Sequence, residues 1–367
     1  MGQTHSTDDS TAVGIPRGPE DVTSAWLSAV LRTEVDAVEV KPIGTGQTGA
    51  TYRVTARYIT ERPELPTSFA IKLSAQDDAV RERVALGYRS EVEFYSRIAE
   101  RMRIPVPHCH YCDISADGAD VVLLLADMAP AVQGDQIAGC TEQEARLAVE
   151  ALAGLHGPSW CDPQWLDLSA IAMPKPGDDA AAQGLGDISK MAADIVIDRF
   201  GSRISGEDAD TLVAAMASVA DWLRTEPRRY ALMHGDYRLD NMLFDPDRTR
   251  VTVVDWQTVG IGLPARDLAY FTATSLEPKI RAEVERDLVE RYHAALLGYG
   301  VAGYDLETCW RDYRLGAVQA PLLVALGTAF ATTTERGDEM MLVMLSRGCQ
   351  AIRELGTLEL ISSRSAS

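Results

Sequence analysis

The chain is short of positive charge, of cysteine and of unbroken apolar sequence, and each shortage removes a class of function. Lysine and arginine number 35 against 54 aspartate and glutamate residues, a formal charge of −19, which disfavours a general surface for nucleic acid or anionic membrane. Six cysteines scattered over 367 residues make no disulfide framework and fit a reducing cytoplasm. The apolar stretch from Ala317 to Ala331 is interrupted by Gln319, Pro321 and Gly327 and is too short to span a bilayer. No cationic start followed by an apolar core stands at the N-terminus, and no internal repeat marks a solenoid or propeller. The expectation is a soluble cytoplasmic protein, monomer or dimer, with no nucleic-acid or membrane partner.

What is present is ordinary globular material. A hydrophobic content of 46% with 24% charged residues supplies buried cores for one large domain or two lobes. Residues 1–18 and 361–367 are polar, without apolar periodicity, and read as flexible tails. From Val38 to Asp127 the runs VEVKPI, TYRVTARYI, SFAIKLS and DVVLLLAD are rich in β-branched and aromatic residues and bounded by Gly, Pro or Asp, the signature of strands. One helix interrupts them over Ala79–Arg101, where Val84, Tyr88, Val92, Tyr95 and Ile98 recur at helical spacing. Beyond Asp127 the pattern is mainly helical, with helices expected over Thr141–His156, Asp208–Arg224, Pro278–Leu297, Leu306–Ala331 and Glu335–Leu355. A strand-like island, MLFDPDRTRVTVVDW, reads as a hairpin turning at Pro246-Asp247. This predicts an α+β protein of two lobes with the site in the cleft between them: residues 19–126 a small antiparallel sheet lobe with one main helix, 127–134 a connector, and 135–360 a larger helical lobe. The cluster His108, Cys109, His110 and Cys112 lies where strand alternation would send neighbours to opposite faces, so the four are not expected to meet on one metal ion.

The chemistry is concentrated in His234-Gly235-Asp236-Tyr237-Arg238-Leu239-Asp240-Asn241, followed fourteen residues later by Asp255 in VVDWQ. Phosphoryl transfer needs a carboxylate beside the incoming hydroxyl and oxygen ligands that hold Mg²⁺ against the phosphates. An Asp and an Asn five apart, then an Asp ending an apolar strand, supply these groups. Upstream, Gly44-Thr45-Gly46-Gln47-Thr48-Gly49 fits G-x-G-x-x-G, a spacing shared with dinucleotide folds. There the loop must open a helix, whereas ATYRVTARYI alternates in strand period, which favours a glycine-rich hairpin over phosphates against an ordinary loop. Lys72 sits inside the apolar run Phe69–Leu73, where an ammonium either snorkels from an edge strand or meets an anion.

HGDYRLDN with VVDWQ resembles the catalytic motif and metal-binding Asp of the aminoglycoside phosphotransferase and choline kinase superfamily, above all its ecdysteroid-kinase-like branch. The likeness runs from about Pro42 to Ala273. It implies a protein-kinase-like fold that moves the γ-phosphate of ATP or GTP onto a hydroxyl of a small molecule. By this likeness Asp236 is the catalytic base or hydroxyl-orienting group, Asn241 and Asp255 are Mg²⁺ ligands, and His234 braces the loop. Lys72 grips the nucleotide phosphates, oriented by Glu91 rather than Glu93 because EVEFY resembles the family's Glu-x-x-Phe-Tyr helix. LLLADM resembles the family's connector, so Asp127 and Met128 would meet the adenine through their backbone, with Ala126 where an acid is usual. His156 is expected to pack, and Asp267 to cap its helix and brace the catalytic loop.

Only ten residues separate Asp255 from Arg266, which leaves little room for the phosphorylatable segment of a protein kinase and points to a small acceptor. Trp160–Asp210 and the helices after Pro278 would select it. The acidic surplus of Cys161–Asp210 suits an aminated substrate or a solvated face of polar, flexible sequence. Trp160, Trp165, Phe200, Tyr313 and Phe330 would wall a lipophilic pocket or belong to the core. An antibiotic-inactivating aminoglycoside enzyme and a catalytically silent nucleotide-binding protein are the competing expectations.

Overall fold

Along Ser68–Leu73 the side chains alternate between a buried face, carrying Phe69, Ile71 and Leu73, and a half-exposed one that carries Ala70 and Lys72. The computed structural model describes residues 13–43, 50–171, 173–331 and 334–365. It divides into two units, Met1–Tyr88 with His108–Asp127 and Arg89–Pro107 with Met128–Ser367.

The first unit is an antiparallel sheet of β1 (Val35–Pro42), β2 (Ala50–Tyr58), β3 (Ser68–Leu73), β4 (Cys109–Ile114) and β5 (Val121–Ala126), in the order β1-β2-β3-β5-β4. A short helix, α1 (Ser24–Leu31), precedes it. The Thr23 hydroxyl accepts from the Trp26 N–H at 3.1 Å and caps that helix. Trp26 and Leu27 of α1 pack with Val54, Ala56, Phe69, Ile71, Leu73, Val122 and Leu124 into one core. Each large side chain buried there stabilises the fold by roughly 1.5–3 kcal/mol. The helix α2 (Asp78–Glu93) begins in this unit, where the Tyr88 hydroxyl accepts from the Ala75 N–H at 2.8 Å.

Two expectations for this unit change. Residues 13–18 are not a free tail: Val13 and Ile15 pack on the core, the Gly14 carbonyl accepts from Trp26 Nε1 at 2.8 Å, and Arg17 pairs with Asp120 at 2.9 Å. Their apolar and charged side chains find partners that local periodicity does not reveal. In β4 the alternation is broken by a register shift, which sets Cys109 opposite Leu125 and Cys112 opposite Leu123, so both cysteines share a face.

In the second unit α2 runs on into a π-helical turn, Phe94–Ile98, and a 3₁₀ turn, Ala99–Arg101. After β6 (Val132–Gln133) comes α3 (Glu142–His156), opened by the expected capping box of Thr141 and Glu144. Then follow α4 (Asp179–Phe200), α5 (Gly206–Ala217), α6 (Val219–Leu223), β7 (Ala231–Met233), β8 (Met242–Phe244), β9 (Val251–Val253), β10 (Gly260–Gly262) and α7 (Ala265–Ser275). The chain ends in α8 (Pro278–Gly298), α9 (Leu306–Gly316), α10 (Gln319–Phe330), α11 (Glu335–Leu355) and α12 (Thr357–Ser365). β8 and β9 form the expected hairpin, with β6 beside β8, and β10 pairs with β7.

Two long helical expectations are revised, and one helix stands where none was expected. Leu306–Ala331 is two helices, because Pro321 has no N–H and its ring clashes with the carbonyl four residues back, at Ala317, where α9 stops. Asp208–Arg224 breaks at Ser218, whose hydroxyl donates to the Ala215 carbonyl at 2.7 Å. The stretch read as polar and flexible holds α4, 22 residues long. Its buried stripe is built of Ala182, Gly186, Ser189, Ala192, Ala193, Val196 and Phe200, small residues that carry little hydrophobic signal. At the C-terminus the expected tail from 361 is helical to Ser365. Trp165, Phe200 and Tyr313 belong to the core, whereas Phe330 is exposed. Among the described residues no helix is long and apolar enough to cross a membrane.

Candidate active site

The segment His234–Asn241 links β7 to β8, and its shape is imposed by a buried carboxylate. Asp267, fully buried in the first turn of α7, accepts from the His234 N–H at 2.6 Å and the Gly235 N–H at 3.1 Å. It braces the loop as expected but does not cap the helix, which begins two residues earlier. Its Oδ2 also lies 3.4 Å from Nε2 of His156, and the Tyr292 hydroxyl is 2.7 Å from Nδ1 of that ring. His156 is buried in this network, the packing position expected of it.

His234 ties the loop to the end of β9. Its Nε2 lies 3.1 Å from the Val254 carbonyl and its Nδ1 accepts from the Asp236 N–H at 3.3 Å, a pairing that fits the neutral tautomer protonated on Nε2. The Val254 N–H in turn donates to the Asn241 carbonyl at 3.0 Å. Val254, the residue before Asp255, is thereby bonded to both ends of the loop that carries Asp236.

The Asp236 carboxylate accepts from three side chains. Arg238 Nε lies 3.1 Å from Oδ1 and 2.9 Å from Oδ2, the Tyr270 hydroxyl donates to Oδ1 at 2.8 Å, and Asn241 Nδ2 donates to Oδ2 at 3.0 Å. Burial pushes this carboxyl upward, but the Arg238 guanidinium and the Tyr270 hydroxyl outweigh it and hold it below the ordinary carboxylate range. Burial and the facing Asp236 carboxylate raise the Tyr270 phenol far above its usual value, so it stays a donor.

Asn241 Nδ2 also donates to the Asp236 backbone carbonyl at 2.8 Å. With the amide nitrogen committed, Oδ1 is the atom Asn241 offers to a ligand. Asp255 occupies the left-handed region at φ 66°, which Asp enters more readily than most side chains. The next residue, Trp256, anchors this turn: it is fully buried, stacked on Phe94 at 3.6 Å between ring centroids and 4.6 Å from His234. One residue further, Gln257 Nε2 donates to Oε2 of the buried Glu91 at 3.4 Å. Glu93 is turned to Arg97, 2.6 Å away.

An amide oxygen and a carboxylate are hard donors that fit Mg²⁺. Among the described residues no three His, Cys, Asp or Glu side chains form a metal cluster, so an ion held by Asn241 and Asp255 would take its remaining oxygens from phosphate and water.

The nucleotide candidates are placed as follows. Gly44, Thr45, Gly46, Gln47, Thr48 and Gly49 lie outside the described residues. Lys72 is on β3 opposite Thr51 of β2 and Leu123 of β5, an interior strand and not an edge. Asp127 holds Arg53 through contacts of 2.7 and 3.2 Å and accepts from the Ser68 hydroxyl at 2.5 Å. The carbonyl of Met128 accepts from the Ala131 N–H at 2.8 Å. No local pattern singles out Tyr270, Gln136 or Arg336, which reach the loop from far along the chain. Arg238, two residues after Asp236, was visible as a charge inside the motif.

A sequence model described as the APH phosphotransferase enzyme family matches residues 39–306. Over 69 residues the chain is 42% identical to Acyl-CoA dehydrogenase family member 11 of Gallus gallus, a match covering 17% of this chain and 9% of that one. The chain thus spans less than a tenth of that relative's length. Among solved structures, choline kinase from Cryptosporidium parvum Iowa II has a TM-score of 0.56 at 11% identity, covering 89% of this chain and 92% of that one. Ethanolamine kinase Pv091845 of Plasmodium vivax has a TM-score of 0.53 at 11% identity, covering 87% and 84%. Both likenesses are of fold, and the family match selects no ecdysteroid-kinase-like branch. With more than half of its length matched, the chain belongs to the phosphotransferase enzyme family.

Proposed function

We propose that the chain transfers the γ-phosphate of ATP or GTP to a hydroxyl group of a small-molecule acceptor. The supporting observation is Asp236, a carboxylate in a loop pinned by Asp267 and His234 and joined to Asn241 by two hydrogen bonds. In this reading one oxygen of Asp236 receives the acceptor's hydroxyl and fixes its line of approach to the phosphorus. A carboxylate held below its usual pKa range is a weak base, so orientation and charge contribute more than early proton removal, as a loose transition state requires. Asn241 and Asp255 hold Mg²⁺, which neutralises charge on the phosphates when bound. Lys72, Glu91 and the loop Gly44–Gly49 bind the phosphates, and the backbone at Asp127 and Met128 receives the base. Residues 13–126, apart from 89–107, which belong to the second unit, form the nucleotide lobe, 127–134 the connector and 135–365 the lobe that takes the acceptor, in a cytoplasmic protein.

The experiment is steady-state nucleotide consumption over a library of alcohols, amino sugars and lipophilic hydroxyl compounds, run beside titration with a fluorescent nucleotide. Asp236→Ala is expected to lose acceptor-stimulated turnover by at least about 1,000-fold while binding nucleotide within about twofold of wild type. Turnover at the wild-type rate in that variant would remove Asp236 from the reaction. Stimulation by amino sugars alone would narrow the function to aminoglycoside inactivation, and stimulation by nothing, without slow hydrolysis, would mark a silent nucleotide-binding protein.

A further inference from the structure

Three donor groups converge on Asp236, and Arg238 is the one with no role so far. A carboxylate has about four lone-pair positions. Tyr270 takes one on Oδ1, Asn241 takes one on Oδ2, and Arg238 Nε spans the remaining two at 3.1 and 2.9 Å. Nε carries a single hydrogen, which points well at one oxygen at a time. The bifurcated bond therefore holds the carboxylate in one orientation yet leaves one oxygen able to accept a further hydrogen.

Arg238 is itself immobilised. Its Nη1 donates to Asp240 Oδ2 at 3.0 Å and lies 3.1 Å from Met340 Sδ of α11. Asp240 is fixed in turn by Arg336 at 3.1 and 3.2 Å and by the Gln136 N–H at 3.0 Å. A line of alternating charge thus runs from the first turn of α11, through Asp240 and Arg238, to the carboxylate. Arg238 and Asp240 are largely buried along it, while Arg336 is half-exposed, so the inner contacts are little screened.

We propose that Arg238 is a positioning residue of the transfer reaction: anchored by Asp240 and Met340, it locks the rotamer of Asp236 and shifts onto one carboxylate oxygen when the acceptor's hydroxyl takes the other. The proposal rests on the reading of Asp236 as the group that orients the acceptor. Lysine does not replace this arrangement, because an ammonium keeps the charge but lacks the planar fork that bridges Asp236 and Asp240.

The test compares Arg238→Ala, Arg238→Lys, Arg336→Ala and Asp236→Ala in the full chain, reading kcat, nucleotide KM and rescue by millimolar guanidinium chloride against equal sodium chloride. Arg238→Ala is expected to lose about 100-fold in kcat with nucleotide KM within about twofold of wild type. Guanidinium should restore at least about tenfold in kcat, saturably, exceed what Arg238→Lys recovers, and do nothing for Asp236→Ala. Arg336→Ala, at the half-exposed end of the chain, is expected to fold and to lower kcat about fivefold at unchanged nucleotide KM. An Arg238→Ala enzyme within about threefold of wild-type kcat, or a folded one that guanidinium leaves unchanged, overturns the inference. If Arg238→Ala fails to fold, an unchanged kcat in Arg336→Ala overturns it. Normal turnover by Asp236→Ala would instead defeat the reading beneath.

Discussion

At Gly235 a methyl group has nowhere to go. The backbone holds φ at +83°, and an added Cβ would stand 2.2 Å from the Thr258 carbonyl oxygen. That oxygen belongs to backbone, so relief requires the turn after Asp255 to shift. Gly235→Ala is predicted to destabilise the protein by roughly 2–4 kcal/mol, read as a lower urea midpoint, and to lower turnover more than nucleotide affinity. An unchanged midpoint would show that the loop is softer than its contacts imply. The same scale separates what the sequence revealed from what it hid. Asp236, Asn241 and Asp255 were legible as candidates because phosphoryl transfer restricts residue type and order. Tyr270 and Gln136 were not, since each reaches Asp236 or its loop from a distant element, and hydroxyls and amides at such positions have no local signature.

Among elements, the β8–β9 hairpin shows how a turn is fixed by one carboxylate. Asp245 accepts from the N–H groups of Thr249 and Arg250 at 2.7 Å each and from the Thr249 hydroxyl at 2.8 Å. The Thr249 and Arg250 bonds hold its pKa down to about 2. A depressed folded-state pKa gives stability that is complete above the unfolded value near 4 and is lost as pH falls through the folded one. Asp245→Asn is therefore predicted to lose stability at neutral pH and to show a shallower decline between about pH 4 and pH 2. Parallel acid curves for the two proteins would contradict this. The strands β1, β2, β3 and β5 were readable as β-branched and aromatic runs bounded by Gly, Pro or Asp, and the hairpin from its Pro-Asp turn. Helix α4 was not, because its inward stripe is mostly Ala, Gly and Ser, and Gly186 there admits Ala220, whose Cβ would lie 2.9 Å from an added methyl. The breaks at Ser218 and at Ala317, four residues before Pro321, were also missed, since a helical pattern continues across both and local backbone chemistry ends it.

For the whole molecule, the family match spans residues 39–306, a range that holds both the nucleotide candidates and the transfer candidates. A ligand that binds only the folded chain stabilises it by RT ln(1 + [L]/Kd), about 2.7 kcal/mol at one hundred times Kd. MgATP or MgGTP is thus predicted to raise the melting temperature of the wild type. In Asp255→Ala the Mg²⁺-dependent part of that rise should vanish, and an unchanged Mg²⁺ response would count against Asp255 as a ligand.

The acceptor's destination carries the most weight. Wild-type chain and Asp236→Ala are incubated with γ-labelled ATP or GTP, Mg²⁺ and a panel of small hydroxyl compounds, and the label is followed by mass spectrometry. Label on the oxygen of an acceptor with the wild type, and none with Asp236→Ala, is the predicted result. Equal labelling by both proteins, or label found in inorganic phosphate alone across the panel, would contradict it.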